Sequence, residues 1–516
     1  MSFFGVRATE KKTSITAPIT AATAVMAFGT APAHQVGGKA NTIVLANSYA
    51  EAVEALGWSD DWEKYTLCEV IYSHFKLYGV GPLLLVNVLD ASKHKGNSVT
   101  KELAIADGQV KITPDAIPDT IKVEIEKKAE TTEAGAGSAT DSGDGANLDE
   151  EGNAGTQEAG ESVTEKETLI RGTDYDVFYE DGECIIEALA GGKMASEASV
   201  SVSYQPVSFV LDDLSGDIIG GYNVSTGESA GMELADQAYF QKKVLPDILI
   251  APHFSKNSGV AAVMAAKAKT LSIVFRSFAV CDIDSASTAT YQAAVNAKDG
   301  SGAFQNVKER MCWPMLKLDD RKFHLSTQLA GIMAFYAAQD GGIPSEPTSN
   351  KTLQADGAIL ADGTEVSLDL NMANYLRGQG ITTALNFVNG FTSWGEYCAC
   401  VPGNSDPKDM YVNIARMVNY ICNTVVLTFW QYIDQKMTPR LARAICDMVN
   451  IWLNGLTNMG HLLGGRCELM DEENPITDLM AGIVRPHIFI GVPGPAQEID
   501  FIVEYDVDYL TTIMSA

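Results

Sequence analysis

Near the end of the chain, hydrophobic residues fall on every second position. Ile499, Phe501, Val503, Tyr505, Val507 and Tyr509 alternate with Asp500, Glu504, Asp506 and Asp508, and Ile502 alone interrupts the acidic set. Side chains in a strand alternate faces, so this period predicts a strand with one apolar and one charged face. It follows the break Pro493-Gly494-Pro495. Such a strand needs a sheet beside it and a core beneath it, supplied by its own subunit or by a neighbour.

The rest of the chain divides by pattern. Residues 1–20 are polar and Thr-rich with no period, which predicts an extended arm. From 21 to 91, short apolar strands (Ala22–Phe28, Asn41–Ala46, Leu83–Leu89) alternate with helices. One helix starts at a capping box formed by Ser48 and Glu51; the other spans Asp61–Tyr78. Leu83–Leu89 is almost wholly apolar, as in a sheet covered on both faces.

Residues 92–206 change character. Thr120–Glu126, Tyr175–Glu180 and Ala198–Tyr204 alternate, and Asp181-Gly182 marks a hairpin turn. This predicts an antiparallel β domain inserted into an α/β core. Inside it, residues 129–165 hold ten acidic side chains and no Lys or Arg, which predicts a flexible loop, outward-facing in any assembly.

From 207 to 494 the α/β pattern returns. Helices are predicted at Met232–Leu245, Ser258–Leu271, Lys322–Gln339 and Tyr411–Lys436, and from Thr438, with Pro439 in its first turn, to about Asn454. Strands are predicted at Asp247–Ala251, Ser277–Ile283, Ala384–Asn389, Tyr397–Val401, Cys467–Met470 and Val484–Ile490. Residues 495–516 form a C-terminal strand arm.

Composition narrows the function classes. A net charge of −29 over 516 residues argues against nucleic acid or an anionic membrane as the main partner. Nine scattered cysteines fit buried thiols in a reducing compartment better than a disulfide framework. No apolar run is long enough to span a bilayer. Arg7, Lys11 and Lys12 precede a mild apolar stretch, but Pro18 and four threonines weaken it as a secretory leader.

Candidate chemistry is sparse. There is no phosphate-binding Gly-rich loop, no His-Glu-x-x-His and no Gly-x-Ser-x-Gly. Cys398-Ala399-Cys400 lacks a second ligand pair, and Asp141–Gly145 lacks full calcium-loop spacing. Asp282 and Asp284 at a strand end fit a helix cap or turn better than a metal site. No catalytic residue, metal ligand or cofactor site is expected.

An ordered series of short stretches resembles the contractile tail sheath family, the sheath subunits of myophage tails and phage-derived contractile bacteriocins. It runs through Gly5-Val6, Ala24–Pro32, Gly227–Gly231, Leu245–Pro252, Val280–Asp284 and Ile343–Asn350. It continues with Leu385-Asn386, Tyr411–Arg416, Asn474-Pro475, Ala481–Val484 and Pro495–Phe501. The similarity covers roughly 1–91 and 207–516. The family's Pro-Ala-Asn loop stands here as Glu346-Pro347-Thr348-Ser349-Asn350, and its paired Arg as Ala415-Arg416.

The resemblance implies a non-enzymatic subunit, made in a host bacterium's cytoplasm and placed in a virion tail or phage-tail-like particle. It implies six-membered rings stacked helically around a tail tube, with a baseplate and a tail terminator at the ends. It implies terminal arms that add strands to neighbours, and contraction that drives the tube through an envelope. The inter-subunit strand would be Ile499, Phe501, Val503, Tyr505, Val507 and Tyr509. Lys436, Arg440 and Arg443 are candidates for facing the tube. On the residues alone, two other readings stay open: an α/β enzyme with an unrecognised site, and an acidic secreted binding protein.

Overall fold

The computed structural model describes residues 23–126, 166–180, 182–388 and 390–514. The N-terminal arm over 1–20 and the acidic tract over 129–165 lie outside the described residues. The chain forms two compact units, one from Met1–Asp90 with Val210–Ala516 and one from Ala91–Phe209.

The first unit is built on an eight-stranded sheet. In chain order its strands are β1 (Val25–Gly29), β2 (Ile43–Ala46), β3 (Leu83–Asn87), β4 (Ile248–Ile250), β5 (Phe278–Asp282), β6 (Glu309–Cys312), β7 (Ile381–Asn386) and β8 (Phe391–Trp394). Their order in space is β2-β3-β1-β4-β5-β6-β7-β8. The inner strands run parallel, with Val25 opposite both Ile248 and Leu83, and the outermost strand at each side runs antiparallel. Every residue of β1, β3, β5 and β6 is buried. Consecutive burial along a strand means both faces are covered, as the unbroken apolar run at Leu83 predicts.

Several predicted bounds shift for local reasons. The helix placed at Asp61–Tyr78 begins at Thr66 and passes at Ser73 into a wider turn that runs to Tyr78. The helix placed at Met232–Leu245 is a tight turn, Gly231–Gln237, followed by Ala238–Lys242, and Lys243 stops it at φ 58°. Of the Lys322–Gln339 helix, Arg321–Phe323 is instead a strand paired with Met315–Leu318. The helix itself is α1 (Leu325–Gln339).

The Tyr411–Lys436 helix is α2 (Val412–Phe429), ended by the turn Trp430–Tyr432 and by Asp434 at φ 64°. The last long helix, α3, spans Pro439–Asn458 with Thr438 capping the Leu441 amide at 3.1 Å. Tyr397–Val401 is no strand: Val401 N–H donates to the Cys398 carbonyl, closing a turn ahead of Pro402. The Ser48 hydroxyl accepts from the Glu51 amide, while the Glu51 carboxylate reaches one residue further back, to the Asn47 amide.

The second unit holds two antiparallel sheets, of four and three strands, around one apolar core. Val123, Cys184, Ile186, Met194 and Val202 have no solvent exposure.

Candidate assembly site

A buried cation fixes the Ile343–Asn350 segment. Arg310 on β6 is fully buried; its Nε donates to Thr382 Oγ1 at 2.8 Å, and its two terminal nitrogens donate to Thr348 Oγ1 and the Gly395 carbonyl. Glu396, equally buried, accepts from the amides of Thr348 and Ser349 at 2.9 and 2.8 Å, and from that of Asn413 at 3.2 Å. A buried charge is tolerated when its hydrogen-bonding capacity is used in this way. The segment, β6 and the first turn of α2 are thereby tied together.

A polar stripe on α2 holds that helix to strand ends. Arg416 pairs with Asp247 at 2.6 Å, Asn419 donates to the Ser277 carbonyl at 2.8 Å, and Asn423 brackets the Arg276 peptide. Arg416 is 2% exposed, so it is an internal tie between two of the stretches that carried the resemblance.

Beyond α2, helix α3 buries Cys446, Val449, Leu453 and Leu456 along one side. It packs on β9 (Gly464–Leu469), with the Asn450 carboxamide bonded to both polar groups of the Cys467 backbone at 3.0 and 2.7 Å. β9 pairs antiparallel with β10 (Pro486–Gly491), from Gly464 opposite Gly491 to Leu469 opposite Pro486. These two strands make a sheet of their own. Each outer edge of a two-stranded sheet offers a row of backbone donors and acceptors.

The tail leaves from β10. Over Ile499–Tyr509 the single chain forms no strand; Val507–Met514 is a tight helical turn. The apolar residues of the alternating stretch stand in water, Phe501 83% and Val503 92% exposed. The expected strand is therefore absent from the isolated subunit, for the physical reason that among the described residues no second strand lies against it.

Lys436, Arg440 and Arg443 are exposed, at the start of α3. Cations in a first turn oppose the helix dipole, so they do not serve the helix itself. Trp430, Ile433 and Met437 are exposed beside them in the chain, giving a mixed basic and apolar surface. The sequence reading missed Trp430 and Ile433, having placed them inside the Tyr411–Lys436 helix. It also missed Arg310 and Glu396; the signal was the charged triplet Lys308-Glu309-Arg310 running straight into apolar Met311-Cys312.

A cavity of about 660 Å³ lies elsewhere in the first unit, lined among others by Glu69, His253, Asp282, Arg321 and His324. Glu69, His253, Asp282, Arg321 and His324 each have a hydrogen-bond or ion-pair partner within the chain. Glu69 accepts from His324 Nδ1 at 2.8 Å and from the His324 amide at 2.7 Å. Burial works against the His324 charge, but the Glu69 carboxylate outweighs it and raises the pKa. Burial, with Lys256 and His324 nearby, lowers that of His253 to about 4. Asp282 accepts from the Ser326 amide at 2.9 Å and from its hydroxyl, which makes it a tie to the first turn of α1. Asp284 closes a local turn onto the Ala286 amide. All nine cysteines are free thiols, and among the described residues no helix is long and apolar enough to cross a membrane.

No protein-family model matches this chain. The tail sheath protein of Burkholderia phage BcepMu is 24% identical over 521 residues, spanning 99% of this chain and 98% of its own. The fold is shared with the contracted sheath of PVC, an extracellular contractile injection system: TM-score 0.55, 14% identity, 99% of both chains. It is shared also with the contracted helical sheath of the anti-feeding prophage: TM-score 0.53, 11% identity, 98% of this chain and all of that one. Over nearly its whole length, then, the chain is similar to a phage tail sheath protein and shares the fold of contractile sheaths. In a sheath subunit the polar ties of α2 and the Arg310 network are internal framework. Three exposed features described above lie after residue 429: the surface before α3, the β9–β10 edges and the tail.

Proposed function

We infer that this protein is a structural subunit of a contractile sheath, which polymerises around a rigid tube and shortens to drive it through a target envelope. Kinship with structural sheath proteins points to a non-enzymatic role in a tail or tail-like particle. The finer reading is ours: the tail of one subunit adds as a strand to the β9–β10 sheet of a neighbour. One observation supports it above others. An alternating apolar tail stands in water on the same chain as a two-stranded sheet with open edges.

Strand addition would satisfy both. Each large tail side chain that becomes buried would contribute about 1.5–3 kcal/mol as an upper figure. A ladder of backbone hydrogen bonds would add to it, giving a link able to outlast rotation of the subunits. Partners on this reading are further copies of the chain in stacked hexameric rings, a tube protein, and baseplate and terminator proteins. We assign Lys436, Arg440 and Arg443 to the tube-facing side.

Deleting the residues after Gly494 is expected to leave a folded protein that no longer forms tubes or sheaths under negative stain. Long regular polymers from that truncation would refute strand exchange.

A further inference from the structure

The hairpin that offers the sheet and the tail that leaves it share one attachment to the subunit body. His461 stands three residues before β9, and its Nδ1 is 2.7 Å from Ser345 Oγ. Pro493 stands two residues after β10, and its carbonyl accepts from Asn413 Nδ2 at 3.1 Å. The same Asn413 nitrogen donates to the Ser345 carbonyl at 3.2 Å. A carboxamide nitrogen has two hydrogens, and both are used here. Between the two feet, Leu463 N–H donates to the Gly491 carbonyl at 2.8 Å, so they are closed on each other as well.

The attachment is deep. Asn413 is 1% and Ser345 8% exposed. The Asn413 amide is held by Glu396, which also holds Thr348 and Ser349. Past Pro493 the next hold is a bond from Arg377 to Gln497 at 2.7 Å, exposed to water. An exposed hydrogen bond competes with solvent, whereas breaking a buried one strands its partners.

We propose that Ser345 and Asn413 form a clamp on both feet of the β9–β10 hairpin. By fixing the hairpin and the root of the tail to one buried point, the clamp sets the angle at which a subunit receives one neighbour's strand and sends its own to another. Ser345 and Asn413 are positioning residues for assembly, and the pivot of the tail begins after Pro493. The inference rests on the strand-exchange reading above.

The test compares Ser345→Ala, which removes only the hydroxyl to His461, with Asn413→Ala, which releases the Pro493 foot and the Ser345 carbonyl, and with Ser345→Thr, which keeps a hydroxyl. In the unassembled subunit, hydrogen exchange at Leu463–Leu469 and Ile488–Gly491 is expected to quicken about tenfold in Ser345→Ala and further in Asn413→Ala. Helical rise and twist of assembled sheaths, measured by cryo-electron microscopy, are expected to shift or broaden in both, and to stay unchanged in Ser345→Thr. If Asn413→Ala does not fold, Ser345→Ala still decides the matter. Unchanged exchange in Ser345→Ala, or a wild-type rise and twist, overturns the clamp while a polymer-free tail truncation leaves strand exchange standing. Long polymers from the truncated chain overturn both.

Discussion

At the scale of single residues, buried polar groups tie distant elements of the first unit together. Arg310 and Glu396 hold the Ile343–Asn350 segment, and Arg416 ties α2 to the start of β4. A buried histidine gives this unit a measurable pH response. His74 sits in the Ser73–Tyr78 turn with no solvent exposure to speak of, and its Nδ1 lies 3.1 Å from the Val70 carbonyl. That bond fixes the proton on Nδ1 in the neutral ring.

Burial lowers the His74 pKa from 6.5 to about 4. Below pH 6.5 the unfolded chain binds a proton that the folded chain refuses until near pH 4. The stability is therefore whole above pH 6.5 and is lost as pH falls towards 4, by about 2 kcal/mol between pH 7 and pH 5. His253 acts in the same direction; His324, with its raised pKa, acts in the opposite one. Urea unfolding of unassembled wild type and His74→Gln at pH 7 and pH 5 isolates the His74 share: the variant is expected to lose less stability on acidification.

At the scale of elements, the strand-exchange proposal pairs the tail with the β9–β10 hairpin. Alternation makes the two faces of the tail separately addressable. Phe501→Asp with Val503→Asp should reduce sheath yield about tenfold or more by sedimentation, because two buried side chains are worth several kcal/mol. Asp500→Ser with Glu504→Ser, on the face left in water, should change it little. Equal effects from the two pairs would mean that the tail does not bind as a two-faced strand. Helix α3 shows the same division, with Cys446, Val449, Leu453 and Leu456 inward and Arg440, Arg443 and Asp447 exposed.

At the scale of the whole molecule, charge is unevenly matched. The chain has 66 acidic and 37 basic residues, and ten of the acids lie in the 129–165 tract. An exposed basic group beside apolar Trp430 and Ile433 therefore stands out against an acidic background. Arg440→Glu with Arg443→Glu is expected to weaken sheath–tube co-assembly several-fold at low salt, with a smaller effect at high salt, where such contacts are screened. Co-sedimentation with tube protein reads this directly, and unaltered co-assembly would remove the tube-facing assignment.

Much of this was legible in the sequence, for identifiable reasons. The apolar run at Leu83 and the Val25 strand announced a covered sheet, because burial on both faces erases alternation. Thr438-Pro439 marked the start of α3 through capping chemistry alone. The ordered short stretches pointed to the tail sheath proteins that the chain is similar to. Tertiary structure decided what depends on distant contacts. Asn413 is one polar residue among many until the fold brings Ser345 and Pro493 within reach of a single nitrogen. Arg310 reads as a surface charge until Thr348, Thr382 and Gly395 surround it. The tail's alternating period is written locally in its residues, but a strand exists only when another backbone supplies its hydrogen bonds. Among the described residues of one subunit none does, and the stretch that sequence alone marks as β stands in water.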